Sequence, residues 1–299
     1  MEGILTMIGA TSQGLIWGVM VVGLYITFRI LDFADLTVDG SLALGGSVSA
    51  ILIYNGVNPI LSLIIATLAG ILAVCITGIL HIKFKIPGIL AGILTMTALY
   101  SINIRIMGKA NTPLLGKETI FTVISGWFDG FGANSKMISE IILGLIVCAI
   151  IIAIMYWFFG TEMGYAIRAV GNNKHMVCAM GINVGIMQII ALALSNGLVA
   201  FSGALVAQNQ GYADINMGVG TLVCGLAAVI IGEAFVKQES NFAVKLIFAV
   251  VGSVIYRLII ALALQIGMNP SDLKLFTAII VAIALGLPKI MKRKEKQQC

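Results

Sequence analysis

Long apolar runs separated by short polar breaks make up nearly the whole chain. A membrane-spanning helix needs about 20 such residues, and the 40–80 run is long enough for two helices with "YNGVNP" at 54–59 as the turn between them. The 175–213 run holds one helix, at about 185–206. The pattern predicts an all-α, polytopic transmembrane helical bundle of about nine spans, within a range of eight to ten. The uncharged runs are 3–28, 40–80, 86–104, 141–161, 175–213, 215–232, 246–256 (extending to about 268) and 275–288.

The composition supports a lipid environment for the whole chain. Of 299 residues, 60% are hydrophobic and only 10% are charged, and the mean hydropathy is +1.06. Soluble proteins carry about 25% charged residues. Continuous apolar runs also exclude a β-barrel, whose strands alternate over about ten residues. We therefore expect residues 1–299 to form a single transmembrane domain.

The distribution of lysine and arginine predicts the orientation in the membrane. With a cytoplasmic C-terminus and nine alternating spans, 12 of the 18 basic residues fall on the cytoplasmic side. The basic tail 289–299 and the segment 160–184 are then cytoplasmic, and the N-terminus is outside. The net charge of +5 is mostly this orientation signal, and nothing else supports nucleic-acid binding.

The segment 160–184, "GTEMGYAIRAVGNNKHMVCAMGINV", is polar, basic and punctuated by glycine. Asn172 and Asn173 are typical of a helix start, and Gly181 is typical of a helix end. Between them we predict a two-turn helix over about 173–180, about 12 Å long. Its predicted apolar side carries Met176, Val177 and Met180. Spacing alone leaves two alternatives open, a docking element for another protein or a loop helix resting on the membrane surface.

The same segment resembles the cytoplasmic coupling segment of ABC-importer permeases of the branched-chain amino-acid and ribose type. Two further stretches match that family in the same order, "LDFADLTVDGSLALGG" at 31–46 and "SGALVAQNQGYADINMGVG" at 202–220. One departure is Glu233 in "IGEAFVKQES", where the family usually has a small-residue turn. The matching residues of the coupling segment are Gly164, Arg168, Ala169, Gly171, Asn172, Ala179, Gly181 and Ile182.

The resemblance implies the role of a permease subunit in the bacterial cytoplasmic membrane. Such a chain forms half of a pore and docks an ABC ATPase subunit through 173–180. A second permease chain, which forms a homodimer or a heterodimer with a similar permease, and an extracytoplasmic solute-binding protein complete the transporter. Amino acids, including aromatic ones, are the implied solutes, with sugars and nucleosides as close relatives. The residues implied in ATPase coupling are Gly164, Arg168, Ala169, Gly171, Asn172, Asn173, Met176, Val177, Met180 and Gly181.

Several kinds of chemistry lack their motifs in this sequence. No G-x-x-x-x-G-K-[ST] phosphate loop and no histidine-based zinc motif occur, so we expect no enzyme activity, metal or bound cofactor. ATP and magnesium would be used by the partner ATPase. Two rival functions remain, a stand-alone secondary transporter or channel, and a membrane scaffold without transport. Inverted repeats would favour the secondary transporter, and no clear repeat is present.

Polar residues in the spans suggest a solute pathway. Asp32, Asp35 and Asp39 have the i, i+3, i+7 spacing of one helical face and are predicted either to rim the inner pore mouth or to form a solvated loop. Tyr100, Asn103 and Arg105 close the fourth span on the outer side and are candidates for a gate. Arg257 lies inside a span and is expected to extend to the outer interface. The segment "AQNQGYAD" adds Gln208, Asn209, Gln210 and Tyr212 as candidates for contact with the solute or the binding protein.

Overall fold

The computed structural model describes residues 2–127, 135–236, 240–268, 272, 275–279 and 281–282. This part of the chain is helical apart from one two-stranded ribbon. A π-helical segment, Ile26–Ile30, follows α1, and a short 3₁₀ helix, Ile215–Gly218, follows the second strand. The helices are α1 Glu2–Tyr25, α2 Thr37–Tyr54, α3 Pro59–Ile82, α4 Gly88–Met107, α5 Ile120–Trp127, α6 Ser135–Phe159, α7 Glu162–Asn172, α8 Lys174–Ala179, α9 Val184–Gln210, α10 Thr221–Ala234 and α11 Phe242–Gln265, and the strands are β1 Asn111–Pro113 and β2 Tyr212–Asp214.

Eight of the segments in the described residues are long and apolar enough to cross a membrane. This confirms the predicted all-α membrane bundle, and eight lies within the predicted range. Half of the ninth predicted span, 275–288, and the whole tail 289–299 lie outside the described residues. The turn at 54–59 is also confirmed, because Gly56 has a φ of +83° and the Asn58 side chain accepts a hydrogen bond from the Ile60 N–H at the start of α3.

The two ends of the bundle are built differently. One end carries α7 and α8 beside the last residues of α1, and we call it the α8 end. The other carries the antiparallel ribbon, in which Asn111 pairs with Asp214 and Pro113 with Tyr212, and we call it the ribbon end. Consecutive spans run alternately between these two ends, so each end collects its own set of loops.

Helix α9 forms the centre of the bundle and packs against α1, α2 and α3. Its contact with α2 depends on glycine on both sides. A methyl group at Gly45 would collide with the carbonyl group of Ala200, and one at Gly203 would collide with that of Leu42. Small residues of this kind allow membrane helices to approach closely and to gain van der Waals contact, since lipid offers no hydrophobic driving force.

Helix α10 is shorter than the predicted 215–232 span. It has 14 residues and is therefore about 21 Å long, less than the roughly 30 Å of a hydrocarbon core. The chain reaches its first residue from the ribbon end through β2 and the 3₁₀ helix. Gly220, which has a φ of +85°, interrupts the chain immediately before the first residue of α10. This crossing is thus a half-helix preceded by irregular chain.

The glycine contact between α2 and α9 makes a testable prediction about stability. Gly203→Ala should destabilise the protein by about 1–3 kcal/mol, because the added methyl forces α9 away from the Leu42 carbonyl. Gly9→Ala is the matched control, since a methyl there meets nothing within 4 Å. Thermal unfolding in detergent should show a lower Tm for Gly203→Ala alone. An equal Tm for both variants would contradict the close packing.

Candidate coupling surface and solute pathway

The segment 160–184 forms two helices, α7 and α8, where the sequence predicted one. The Thr161 hydroxyl caps α7 by accepting from the Gly164 N–H. The Asn173 side chain caps α8 and accepts from the Met176 N–H at 3.1 Å. Gly181, with a φ of +81°, lies just beyond the end of α8. Both predicted boundaries of the short helix are therefore confirmed, whereas α7 was not predicted.

Helix α8 presents a narrower apolar face than the sequence suggested. Met176 and Met180 are 51% and 68% exposed, but Val177 is completely buried. The prediction that Val177 shares the outward side is wrong, because successive helical residues point about 100° apart. Val177 instead belongs to the main hydrophobic core and anchors α8 to the bundle. We call the exposed pair Met176 and Met180 the methionine face.

Helix α7 lies directly on the ends of α1 and α6. A methyl group at Gly171 would collide with the carbonyl oxygen of Ile30, the last residue of the π-helical segment. One at Gly164 would collide with the backbone of Phe158 and Phe159 at the end of α6. These close contacts mean that α7 cannot shift without moving the ends of two membrane helices.

Arg168 adds a third connection, from α7 to α11. Its guanidinium carbon lies 4.2 Å from the centre of the Phe242 ring and 5.4 Å from that of Phe159. Such cation–π contacts contribute on the order of 0.5–2 kcal/mol. Its Nε atom is buried and has no hydrogen-bond partner among the described residues. The remaining predicted coupling residues complete the α7–α8 junction, since Ala169 accepts from the Asn173 N–H at 2.9 Å and Asn172 is the exposed last residue of α7.

The three aspartates of the 31–46 stretch do not share one helical face. Residues 31–36 are irregular, and only Asp39 is helical. Asp32 is exposed and has a φ of +51°, whereas Asp35 is 2% exposed. The predicted common rim is wrong because the i, i+3, i+7 spacing requires a continuous helix, and the chain breaks between α1 and α2.

Asp35 stabilises that break from inside the bundle. Its carboxylate accepts from the Thr37 N–H at 2.9 Å and from the Asn196 side-chain amide at 2.6 Å. The Thr37 hydroxyl continues the network to Thr77, 3.0 Å away, and Thr77 donates to Thr95 at 2.8 Å. The start of α2 is thereby connected to α3, α4 and α9.

Asp39 holds the start of the half-helix α10. Its carboxylate accepts from the backbone N–H groups of Gly220 and Leu222, at 3.0 and 2.9 Å, and from the Thr221 hydroxyl at 2.8 Å. A carboxylate at a helix N-terminus satisfies free N–H groups and interacts favourably with the helix dipole. Asp39 thus acts as the N-terminal cap of a helix that is distant in sequence.

Asp39 also meets two of the other predicted pathway residues. Together with Tyr100 and Asn103 it lines a small cavity of about 30 Å³ beside the 3₁₀ helix. Asn103 is 1% exposed, and neither of its amide atoms has a partner among the described residues. A void of this size can hold one water molecule. Tyr100 is 49% exposed, so this polar cluster reaches the surface of the chain through its ring.

The 207–214 cluster is divided between the interior and the surface. Gln208 is buried, and its side chain donates towards Ser49, Ser62 and the Pro59 carbonyl while accepting from the Ile120 N–H. All of its polar atoms are therefore occupied in joining helices, and as it stands it cannot contact a solute. Asn209 is half-buried, and Gln210 and Tyr212 are exposed at the ribbon end.

Two polar contacts were missed by sequence reasoning. The first is Asn196, which donates to Asp35. Its signal in the sequence was a polar side chain inside a predicted span. Glu233, noted only as a departure from the family pattern, forms a bidentate ion pair with Arg29, with 2.6 Å between Nε and Oε1. This pair joins the end of the π-helical segment to the last turn of α10 at the α8 end.

The described part of the chain is a multi-span membrane bundle with a half-helix and a short capped helix at one end. Residues 6–286 match the family described as "Branched-chain amino acid transport system / permease component". The chain belongs to this family. It is the permease component of an ABC importer, a multi-pass membrane protein that serves transport and is not itself the catalytic subunit.

Curated relatives cover most of the chain. It is 41% identical to the tyrosine transport system permease protein of Clostridioides difficile (strain R20291), over 99% of both chains. An uncharacterised protein, RP368, of Rickettsia prowazekii is 35% identical over 95% of this chain and 98% of its own. The ribose import permease protein RbsC of Escherichia coli K12 is 24% identical over 93% of this chain and 82% of its own. No solved structure matches the chain significantly.

The buried carboxylate at the helix break makes the second prediction. Asp35→Leu removes the acceptor of the Thr37 N–H and of one N–H of the Asn196 amide, whose other bond runs to the Leu192 carbonyl, at a cost of about 1–3 kcal/mol for each lost bond. Asp32→Asn is the control, because Asp32 is exposed and asparagine tolerates its positive φ. Thermal unfolding in detergent should show a marked loss of stability for Asp35→Leu and little change for Asp32→Asn. Equal stabilities would rule out a structural role for Asp35.

Proposed function

We propose that this chain forms half of the pore of an ATP-driven amino-acid importer and receives the ATPase subunit at the methionine face. The single observation that carries this proposal is the construction of α8, a capped short helix whose apolar pair is exposed while Val177 fixes it to the core. Exposed methionine is well suited to a protein interface, because its side chain is apolar and adaptable.

The partners follow from the role of a permease component. ATP and magnesium would be bound by the ATPase, since this sequence contains no phosphate loop. An extracytoplasmic binding protein would deliver the solute to the ribbon end, where Tyr212 and Gln210 are exposed. A second copy of the chain would supply the other half of the pore. The α8 end would then lie in the cytoplasm of a bacterial cell, together with the basic tail 289–299.

An amino acid, with an aromatic one as the first candidate, is the proposed solute. The support is similarity, because the relative that is 41% identical is named as a tyrosine transport permease and the ribose permease is only 24% identical. No residue described above distinguishes an aromatic amino acid from a sugar. The solute therefore has to be identified by a transport measurement.

The contacts of α7 suggest how movement of the ATPase reaches the solute pathway. A shift of α8 moves α7, which is packed on Ile30 through Gly171 and on Phe242 through Arg168. The end of α1 is joined to α10 by the ion pair between Arg29 and Glu233. The opposite end of α10 is held by Asp39, beside the small cavity that Tyr100 and Asn103 line. ATPase closure would thereby reposition the half-helix α10.

Substitution on the methionine face tests this function. Met176→Asp places a charge in the proposed interface, and burying it without a partner costs several kcal/mol, which weakens docking by orders of magnitude. The variant should therefore lose ATP hydrolysis stimulated by loaded binding protein and lose uptake of tyrosine into proteoliposomes. The fold should survive, since Met176 is exposed.

Leu115→Asp provides the matched control, because Leu115 is 90% exposed at the ribbon end. It should leave assembly with the ATPase intact. The docking proposal fails if Met176→Asp retains wild-type stimulated hydrolysis and uptake. The transport proposal fails if the wild-type chain takes up tyrosine from an ion gradient alone, without the ATPase. Uptake of ribose but not of amino acids would overturn only the proposed class of solute.

A further inference from the structure

Arg257 lies inside a membrane helix, and its guanidinium group has no ion pair within the described residues. Elsewhere in the bundle, the acidic Glu233 is paired with Arg29. Arg257 lies eight residues before the end of α11 at Gln265, about 12 Å along the helix axis. A charged side chain at membrane depth is costly and usually has a functional partner. The question is therefore what satisfies this guanidinium group.

The sequence suggested that the Arg257 side chain extends towards the ribbon end. In the structure it turns the other way. Its guanidinium carbon lies 4.0 Å from the centre of the Trp17 ring on α1. It also borders a small void together with Ser253 and Tyr256, which precede it on α11 and so lie nearer the α8 end. The aromatic ring fixes the position of the group. Stacking, however, leaves its in-plane N–H donors free to bind an acceptor.

A cavity of about 520 Å³ lies beside this arginine between α1, α11 and the start of α6. This volume is within the range of about 300–1,000 Å³ that small-molecule sites occupy. Most of the residues that line it are apolar, and Arg257 is the only charged residue among the described residues of its lining. The residues that matter for recognition are Thr6, Gln13, Arg257, Ile260 and Leu264.

We propose that this cavity binds the oxyanion of a small amphiphilic molecule, with Arg257 as the recognition residue. A carboxylate or phosphate accepts two parallel N–H bonds from a guanidinium group in a fixed geometry. The apolar walls suit an apolar body attached to that oxyanion. Two sources have this chemistry, the carboxylate of a free aromatic amino acid and the phosphate headgroup of an anionic lipid. The amino-acid source rests on the proposed function, and the lipid source does not.

Trp17 provides a direct measure of binding that requires no transport. A variant with Trp127→Phe and Trp157→Phe retains Trp17 as its only tryptophan. This chain, purified in an uncharged detergent, is titrated with L-phenylalanine and with short-chain phosphatidylglycerol. Phenylalaninamide and a diacylglycerol of equal chain length are the matched ligands without an oxyanion. They are called neutral ligands here because an uncharged group replaces the carboxylate or phosphate. At least one oxyanion ligand should change the Trp17 fluorescence in a saturable way, and its matched neutral ligand should not.

Substitution of the arginine should weaken this binding. Arg257→Gln should raise the half-saturating concentration at least about tenfold, since a charge-assisted hydrogen bond is lost. Lys117→Gln, at an exposed lysine of the ribbon end, should leave it unchanged. The ligand that changes the Trp17 fluorescence shows whether the bound oxyanion is an amino-acid carboxylate or a lipid phosphate. The site is refuted if neither oxyanion ligand gives a saturable change, if the neutral ligands bind equally well, or if folded Arg257→Gln binds normally.

The comparison of charged and neutral ligands uses the unsubstituted arginine. It therefore decides the proposal even if Arg257→Gln does not fold. A negative result would leave ATPase docking at the methionine face and tyrosine uptake unaffected, so failure here is distinguishable from failure of the proposed function.

Discussion

The structure depends on one constraint, that backbone N–H and C=O groups inside a hydrocarbon layer must find partners within the protein. Continuous helices meet it by themselves, but this chain breaks its helical course at 31–36 and again before α10. At each break an aspartate accepts hydrogen bonds from free backbone N–H groups. Asp35 accepts from Thr37, and Asp39 accepts from Gly220 and Leu222. Both carboxylates act from within the bundle, since Asp35 is buried and Asp39 is half-buried.

Close helix packing surrounds both breaks. Helix α9 and its glycine contacts with α2 form a closely packed centre that resists deformation. The half-helix α10 is packed just as closely on α11, because a methyl group at Gly252 would collide with the carbonyl oxygen of Ala228. Polar contacts hold its two ends, through Asp39 at its start and the ion pair of Glu233 with Arg29 near its last turn. Any movement of α10 would therefore involve α11 as well.

The sequence predicted the helices far better than the roles of individual polar residues. Long apolar runs and helix caps are local signals, so the spans, the turn at 54–59 and the boundaries of α8 at Asn173 and Gly181 could be predicted. The placement of Asp35 and Gln208 could not, because their partners lie more than 80 residues away. Val177 was misassigned since a six-residue helix is too short for periodicity to define its buried side.

The central claim is that the methionine face of α8 is the contact surface of the ATPase. A photoreactive benzoylphenylalanine at position 176 tests it most directly, with the same residue at position 115 as the comparison at the ribbon end. In proteoliposomes that contain the ATPase and the binding protein, the account predicts a crosslink from position 176 to the ATPase and none from position 115. A crosslink to the ATPase from position 115, with none from position 176, would contradict it.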